Sequence, residues 1–255
     1  MPRGPSGVVL LTDRWQAGRP LTEVVAGAVA GGVRWVVLRE KDLPRADRVA
    51  IAADLRSILA EAGGTLVVAG LDPLDGDAVH LPSAGPYPPP RLGLVGRSCH
   101  SRPELARLTT EDYATLSPVF SSRTKPGYGP PLRPDGLREL IEASPVPVLA
   151  LGGVETPEHL HACIAAGAAG VAVVGAIMRA DDPTEVAATL TAAFRSAVSP
   201  PPRTAQDRAE VSGTGLRPTV PTEGSSLTAR SGHGRPQPPS ATMPRPPTST
   251  ILGGR

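Results

Sequence analysis

The sequence predicts an α/β chain, a (β/α)8 TIM barrel followed by a disordered C-terminal tail, and three observations predict it. Short runs of Val, Leu and Ala recur eight times between Val8 and Val174, with helix-like segments between most of them. Hydrophobic residues make up 40% of the chain but aromatics only 3%, so the core must be built from small aliphatic side chains, the usual material of parallel strands covered by helices. Glycines follow the last two runs, at Gly152-Gly153 and Gly175, where such a barrel has its mouth. A doubly wound open sheet is the alternative. The strand count and the lack of a Gly-x-Gly-x-x-Gly after the first strand argue against it.

Taken in order, Val8 to Thr12 reads as a buried strand closed by Asp13, and Leu21 to Ala30 as an apolar helix ending at Gly31-Gly32. Val33 to Leu38 is the second strand, and it runs into the charges Arg39-Glu40-Lys41-Asp42. Arg45 to Ala62 is amphipathic, with Gly63-Gly64 as its stop. Thr65 to Ala69 and Ala78 to Leu81 are strands three and four, and the turn-rich segment between them leaves little room for a helix. Leu92 to Gly96 is the fifth strand, followed by a helix over Arg102 to Leu108. Tyr113 to Leu116 is the sixth, and a loop rich in Ser, Gly and Pro over Ser121 to Pro131 then crosses the open end of the barrel. Leu137 to Ala143 is helical and Val146 to Leu151 the seventh strand. Thr156-Pro157-Glu158 starts a helix with a hydroxyl cap and proline at its first position. Gly170 to Val174 is the eighth strand, and Asp182-Pro183-Thr184-Glu185 opens a last helix to Val198 with the spacing of a capping box.

The barrel is therefore assigned to residues 1–198 and the tail to 199–255. The tail holds eleven prolines and no Phe, Trp or Tyr, too little apolar surface to offset the entropy of ordering it. It also carries seven Arg against three acids, so residues 1–198, with 19 basic and 21 acidic groups, are near neutral. That balance excludes a broad nucleic-acid footprint. Cys99 and Cys163 are too few for a disulfide framework and read as reduced, structural thiols. With no signal-peptide pattern and no 18-residue apolar span, the expected location is cytoplasmic, away from membranes.

Three groups of residues carry the chemistry. Gly152 and Gly153, with Val173-Val174-Gly175-Ala176-Ile177, suit a phosphate, because glycine lets its oxygens approach the backbone N–H groups. The alternative is that these glycines serve only tight turns. Arg39 and Lys41 after strand two, with Lys125 after strand six, suit a pyrophosphate or second phosphate; Lys41 and Lys125 are the only lysines in the chain. Pairing of Arg39 with Glu40 is the competing reading. Ser98 and His100, two apart, share one face of strand five if it continues, and His100 is a candidate acid or base. His80 reads as a hydrogen-bonded structural residue, and His159 and His161 as surface residues on an outer helix. No Cys/His spacing suggests zinc.

Leu38-Arg39-Glu40-Lys41, Val79-His80-Leu81, Val95 through Ser101, Pro118-Val119-Phe120 with Thr124-Lys125, and Leu151-Gly152-Gly153-Val154 together resemble the thiamine-phosphate synthase and TenI superfamily. The resemblance spans Val8 to Val198. It implies a barrel that binds a small-molecule thiazole phosphate at Gly152, Gly153, Val174 and Gly175, with Ser98, Ser122 and Thr124 as further binding residues, and a homodimer as a candidate assembly. Synthases of the family join the thiazole to a pyrimidine methyl pyrophosphate using Mg²⁺, whereas TenI-type relatives aromatise the thiazole phosphate by proton transfer. The aspartates that hold Mg²⁺ in synthases are replaced here by Gly70 and Gly85, and the glutamine two residues before the strand-two arginine is Val37. The Gly96 to Ser101 segment looks more like TenI, although the tautomerase histidine before Val119-Phe120 is Pro118. The leading expectation is thus a TenI-like protein of thiamine metabolism that uses His100, with Mg²⁺ relevant only to a synthase. A thiamine-phosphate synthase and a non-catalytic phosphate-binding module are the alternatives.

Overall fold

The computed structural model describes residues 4–121 and 129–199, so the expected tail beyond Ser199 falls outside the described residues. In chain order the elements are β1 (Gly7–Leu11), α1 (Leu21–Ala30), β2 (Trp35–Leu38), α2 (Arg45–Glu61), β3 (Thr65–Ala69), β4 (Ala78–Leu81), β5 (Leu94–Cys99) and α3 (Arg102–Leu105). They continue with β6 (Tyr113–Leu116), α4 (Arg133–Glu142), β7 (Val148–Leu151), α5 (Pro157–Ala165), β8 (Gly170–Val173), α6 (Gly175–Met178) and α7 (Pro183–Val198). Each strand pairs in parallel with its neighbours and β8 pairs with β1, closing the barrel. Closure leaves no open strand edge.

Alternation along the strands divides the core into two layers. Val8 and Leu10 of β1 face the helices, where they join Val36, Leu38, Leu55 and Leu190. Val9 and Leu11 face the barrel interior with Val37, Val67 and Leu149. On the other side of the interior the side chains become polar or absent: His80 on β4, Gly96 and Ser98 on β5, Tyr113 and Thr115 on β6. Gly96 pairs with Tyr113 in register. A Cβ on Gly96 would lie 2.1 Å from Tyr113 Cζ, so the missing side chain makes the room the phenol ring fills.

No helix separates β3 from β4 or β4 from β5, as the turn-rich sequence predicts, and fully buried Leu74 joins the helix-facing layer instead. Two helix starts match the expected caps. Thr156 accepts from the His159 N–H, and Asp182 accepts from the N–H groups of Thr184 and Glu185. Among the described residues no helix is long and apolar enough to cross a membrane.

Two boundaries differ from expectation in an instructive way. β5 runs to Cys99, three residues past Gly96, because Arg97 is accommodated inside the protein. Its Nε donates to Glu111 Oε1 at 2.5 Å, and its two terminal nitrogens donate to the carbonyls of Pro82 and Pro86 at 2.9 and 2.8 Å. The Tyr87 ring lies between the Arg97 and Arg107 guanidinium groups, each 4.0 Å from its centroid. Arg97 thereby ties the loop after β4 to the sheet. α4 begins at Arg133, four residues before the expected Leu137, since Pro134 near a helix start sacrifices no hydrogen bond and Gly136 is tolerated within the first turn.

Candidate active site

The C-terminal ends of the strands enclose a cavity of about 540 Å³. Leu11, Val37, Ala69 and Ala172 form its apolar floor, and the charged side chains around it are Arg39, Lys41, Arg179, Asp13 and Glu155. It also receives the predicted residues Ser98, His100, Gly152, Gly153, Val174 and Gly175. Ser122, Thr124 and Lys125 lie outside the described residues.

On one side of the mouth the β7 turn is built for glycine. Gly152 and Gly153 have φ of +101° and +68°, and a Cβ on Gly153 would lie 2.6 Å from the Ser121 carbonyl oxygen. The turn therefore packs directly against the chain leaving β6 and leaves its backbone accessible from the cavity. Beside it, the Arg179 guanidinium covers Gly175, where a Cβ would fall 1.9 Å from Nη1. Arg179 donates to Gln16 Oε1 at 2.5 Å and to Glu155 Oε1 at 3.0 Å. Sequence reasoning missed Arg179 and Gln16. They stand 163 positions apart and belong to no motif, so only the closure of β8 on β1 brings them together.

Elsewhere on the mouth, after β2, lie Arg39 and Lys41. Thr12 Oγ1 accepts from the Arg39 N–H at 2.9 Å and fixes the strand end. Glu40 does not pair with Arg39; it turns away and is buried against Arg14, accepting from Nη1 at 3.1 Å and from the Arg14 N–H. Asp42 is likewise bound by Arg14, which holds its carboxyl down at about 2. Among the described residues no carboxylate pairs with Arg39 or Lys41. Partial burial, followed by the nearby charges of Arg39 and Arg48, holds the Lys41 ammonium below its ordinary value. This end of the cavity is electropositive.

Between the two sides sits a buried polar network. His80 Nδ1 lies 3.1 Å from the Tyr113 hydroxyl, and Nε2 lies 3.0 Å from Ser98 Oγ and 3.4 Å from Thr115 Oγ1. Burial, with the charges of Lys41, Arg39 and Arg97, pushes the His80 imidazole down to about 3, so the ring is neutral. Burial also keeps the Tyr113 phenol protonated. The Tyr113 hydroxyl and Ser98 Oγ thus engage the two ring nitrogens of one neutral imidazole, which donates through one nitrogen and accepts through the other. His100 also lines the cavity, and its Nδ1 and backbone N–H both contact Glu104 Oε2, at 3.0 and 2.5 Å. Ser98 and His100 both line the cavity, although β5 ends at Cys99, one residue before His100.

The Mg²⁺ implied by the family resemblance does not fit the residues present. Gly70 and Gly85 have φ of +123° and +132°, a region that L side chains rarely adopt, so the backbone would have to rearrange to carry aspartates there. The neighbouring carboxylates are committed elsewhere. Asp72 and Asp75 accept from Arg45 at 2.7 and 3.3 Å, and Asp77 lies at the opposite end of β4, accepting from the Gly93 N–H. Within the cavity, Asp13 accepts from the Gln16 side chain and the Trp15 N–H, and Glu155 from Arg179. Among the described residues no three His, Cys, Asp or Glu are grouped to hold a metal ion, whereas a hard divalent cation seeks oxygen ligands free to face it.

Comparison with known proteins agrees with this fold. The family profile described as thiamine monophosphate synthase matches residues 8–177. A putative thiamine-phosphate synthase of Geobacter sulfurreducens is 40% identical over 210 residues, covering 76% of this chain and 94% of that protein. A thiamine-phosphate synthase of a Roseiflexus species is 33% identical over 77% of this chain and 89% of its own length. Among solved structures, thiamine phosphate pyrophosphorylase from Pyrococcus furiosus superposes with a TM-score of 0.66 at 25% identity, covering 77% of this chain and 99% of that one. The chain belongs to the thiamine-phosphate synthase/TenI family of thiamine biosynthesis.

Proposed function

We propose that this protein is a thiamine-phosphate synthase, which joins a pyrimidine methyl pyrophosphate to a thiazole phosphate. The observation that carries the reading is one cavity lined both by the glycine turn with Arg179 and by Arg39 with Lys41, two groups of residues suited to two anions. A proton-transfer enzyme acting on one phosphorylated substrate needs only the first of these. The similarity to proteins named thiamine-phosphate synthase adds support and reverses the order expected from the sequence, in which the TenI-like reading led.

In this reaction the thiazole nitrogen forms a C–N bond to the pyrimidine methylene carbon. The C–O bond to pyrophosphate breaks, and its electron pair leaves on the pyrophosphate oxygen. The glycine turn and Arg179 position the thiazole phosphate, so that attack becomes effectively unimolecular. Arg39 and Lys41 stabilise the charge that grows on the departing pyrophosphate. Neutral His80 holds the Ser98 hydroxyl in place at the cavity wall and adds no charge of its own. No general acid is needed for this bond exchange, and none is assigned.

The His100–Glu104 contact at the cavity wall favours a second reading, proton transfer on the thiazole phosphate. Incubating the full chain with both substrates and analysing the products by mass spectrometry separates the two. Thiamine phosphate with an equivalent of pyrophosphate is the expected outcome. Isomerised thiazole phosphate alone would favour the second reading, and no change in either substrate would favour a non-catalytic module.

A further inference from the structure

We infer that the cavity takes its pyrophosphate-bearing ligand through fixed protein cations alone, with no divalent metal bridging ligand and protein. The inference rests on the proposed function in one respect, that a pyrophosphate group enters the Arg39/Lys41 side. Beyond that it is argued from the charges and backbone of this chain.

A bridging cation needs at least one carboxylate turned toward the ligand, and every carboxylate near this mouth has a competing donor. Glu40 and Asp42 are held by Arg14, Asp72 and Asp75 by Arg45, and Glu155 by Arg179, while Asp13 accepts from the Trp15 N–H and the Gln16 amide. The end of β3 offers guanidinium in place of carboxylate: Arg48 Nη2 donates to the Ala69 carbonyl at 3.4 Å, next to Gly70. Arg48 Nε is a buried donor without a hydrogen-bond partner, which is chemistry that calls for an acceptor and repels a cation. Arg48 is close enough to Lys41 to depress its ammonium, as is Arg39, so three cations share one electrostatic neighbourhood. A divalent ion placed there would meet repulsion from all three. A pyrophosphate would meet attraction, and it would relieve the crowding of like charge.

The test is calorimetric titration of the full chain with inorganic pyrophosphate, once in EDTA and once with excess MgCl₂. Binding in EDTA is expected to be as tight as in Mg²⁺, within about threefold. In EDTA, Arg39→Gln and Lys41→Gln are each expected to weaken it at least tenfold while leaving the thermal melt of the protein unchanged. Tenfold or greater tightening by Mg²⁺ would overturn the inference and leave the proposed function standing. Variants that bind as tightly as the parent would overturn it too, by removing these cations from the site. Absence of binding in both buffers would overturn the inference together with the reading on which it rests.

Discussion

Acidification should destabilise this fold through one buried residue, His80. The imidazole is held neutral, its folded value pushed from 6.5 to about 3, by burial first and by Lys41, Arg39 and Arg97 second. A depressed folded value means that the stabilising contribution is fully present above 6.5 and is lost as pH falls toward 3. In that window the unfolded chain binds one more proton than the native one, and stability drops by about 1.4 kcal/mol per pH unit. Between pH 7 and pH 4 the loss from this residue is roughly 3 kcal/mol, a large share of the about 5–15 kcal/mol that holds a typical domain together. Urea denaturation of the parent and of His80→Gln at pH 7, 5.5 and 4 isolates the effect, because the carboxylates titrate alike in both. The parent should lose roughly 3 kcal/mol more than the variant across this range. Identical pH dependence would refute the account of a neutral His80 clamped between Tyr113 and Ser98.

Three further consequences concern packing and the site. Arg97→Met leaves the buried Glu111 charge with only the Thr109 and Thr110 N–H groups as partners and should cost about 3–5 kcal/mol in urea unfolding. Adding Glu111→Leu should recover much of that, and a cost below about 1 kcal/mol for the single variant would contradict the clamp. Gly96→Ala drives a methyl into the Tyr113 ring and should destabilise by about 1–3 kcal/mol or more, read as a lowered melting midpoint. Gly153→Ala presses against the Ser121 carbonyl and shifts the turn. It should weaken thiazole phosphate binding about tenfold or more in calorimetry, and unchanged affinity would remove this turn from the phosphate site.

The parts of the fold that follow from repeating pattern were legible in the sequence. Strands β3, β4 and β6 have the predicted limits, because each is a compact apolar run bounded by turn residues. The errors fall where a local rule is overridden by a distant partner. Arg97 reads as the start of a loop, yet Glu111 and two carbonyls from the β4 loop make it a strand residue. The helix expected from Leu137 begins earlier, with Pro134 and Gly136 in the first turn of α4. In the site, the glycines, Arg39 and Lys41 were legible because each ends a strand. Arg179 and Gln16 were not, since their meeting depends on barrel closure and on no spacing along the chain. The competing pairing of Arg39 with Glu40 does not form, because Glu40 finds Arg14 from the loop after β1.

The central claim is that one mouth holds two anions at once, a phosphate at the Gly152-Gly153 and Arg179 side and a pyrophosphate at the Arg39/Lys41 side. Calorimetric titration of inorganic pyrophosphate into protein already saturated with thiazole phosphate tests this directly. The account predicts a second binding event of one pyrophosphate per chain, with the thiazole phosphate retained. Displacement of thiazole phosphate by pyrophosphate, seen as competition for a single site, would contradict it.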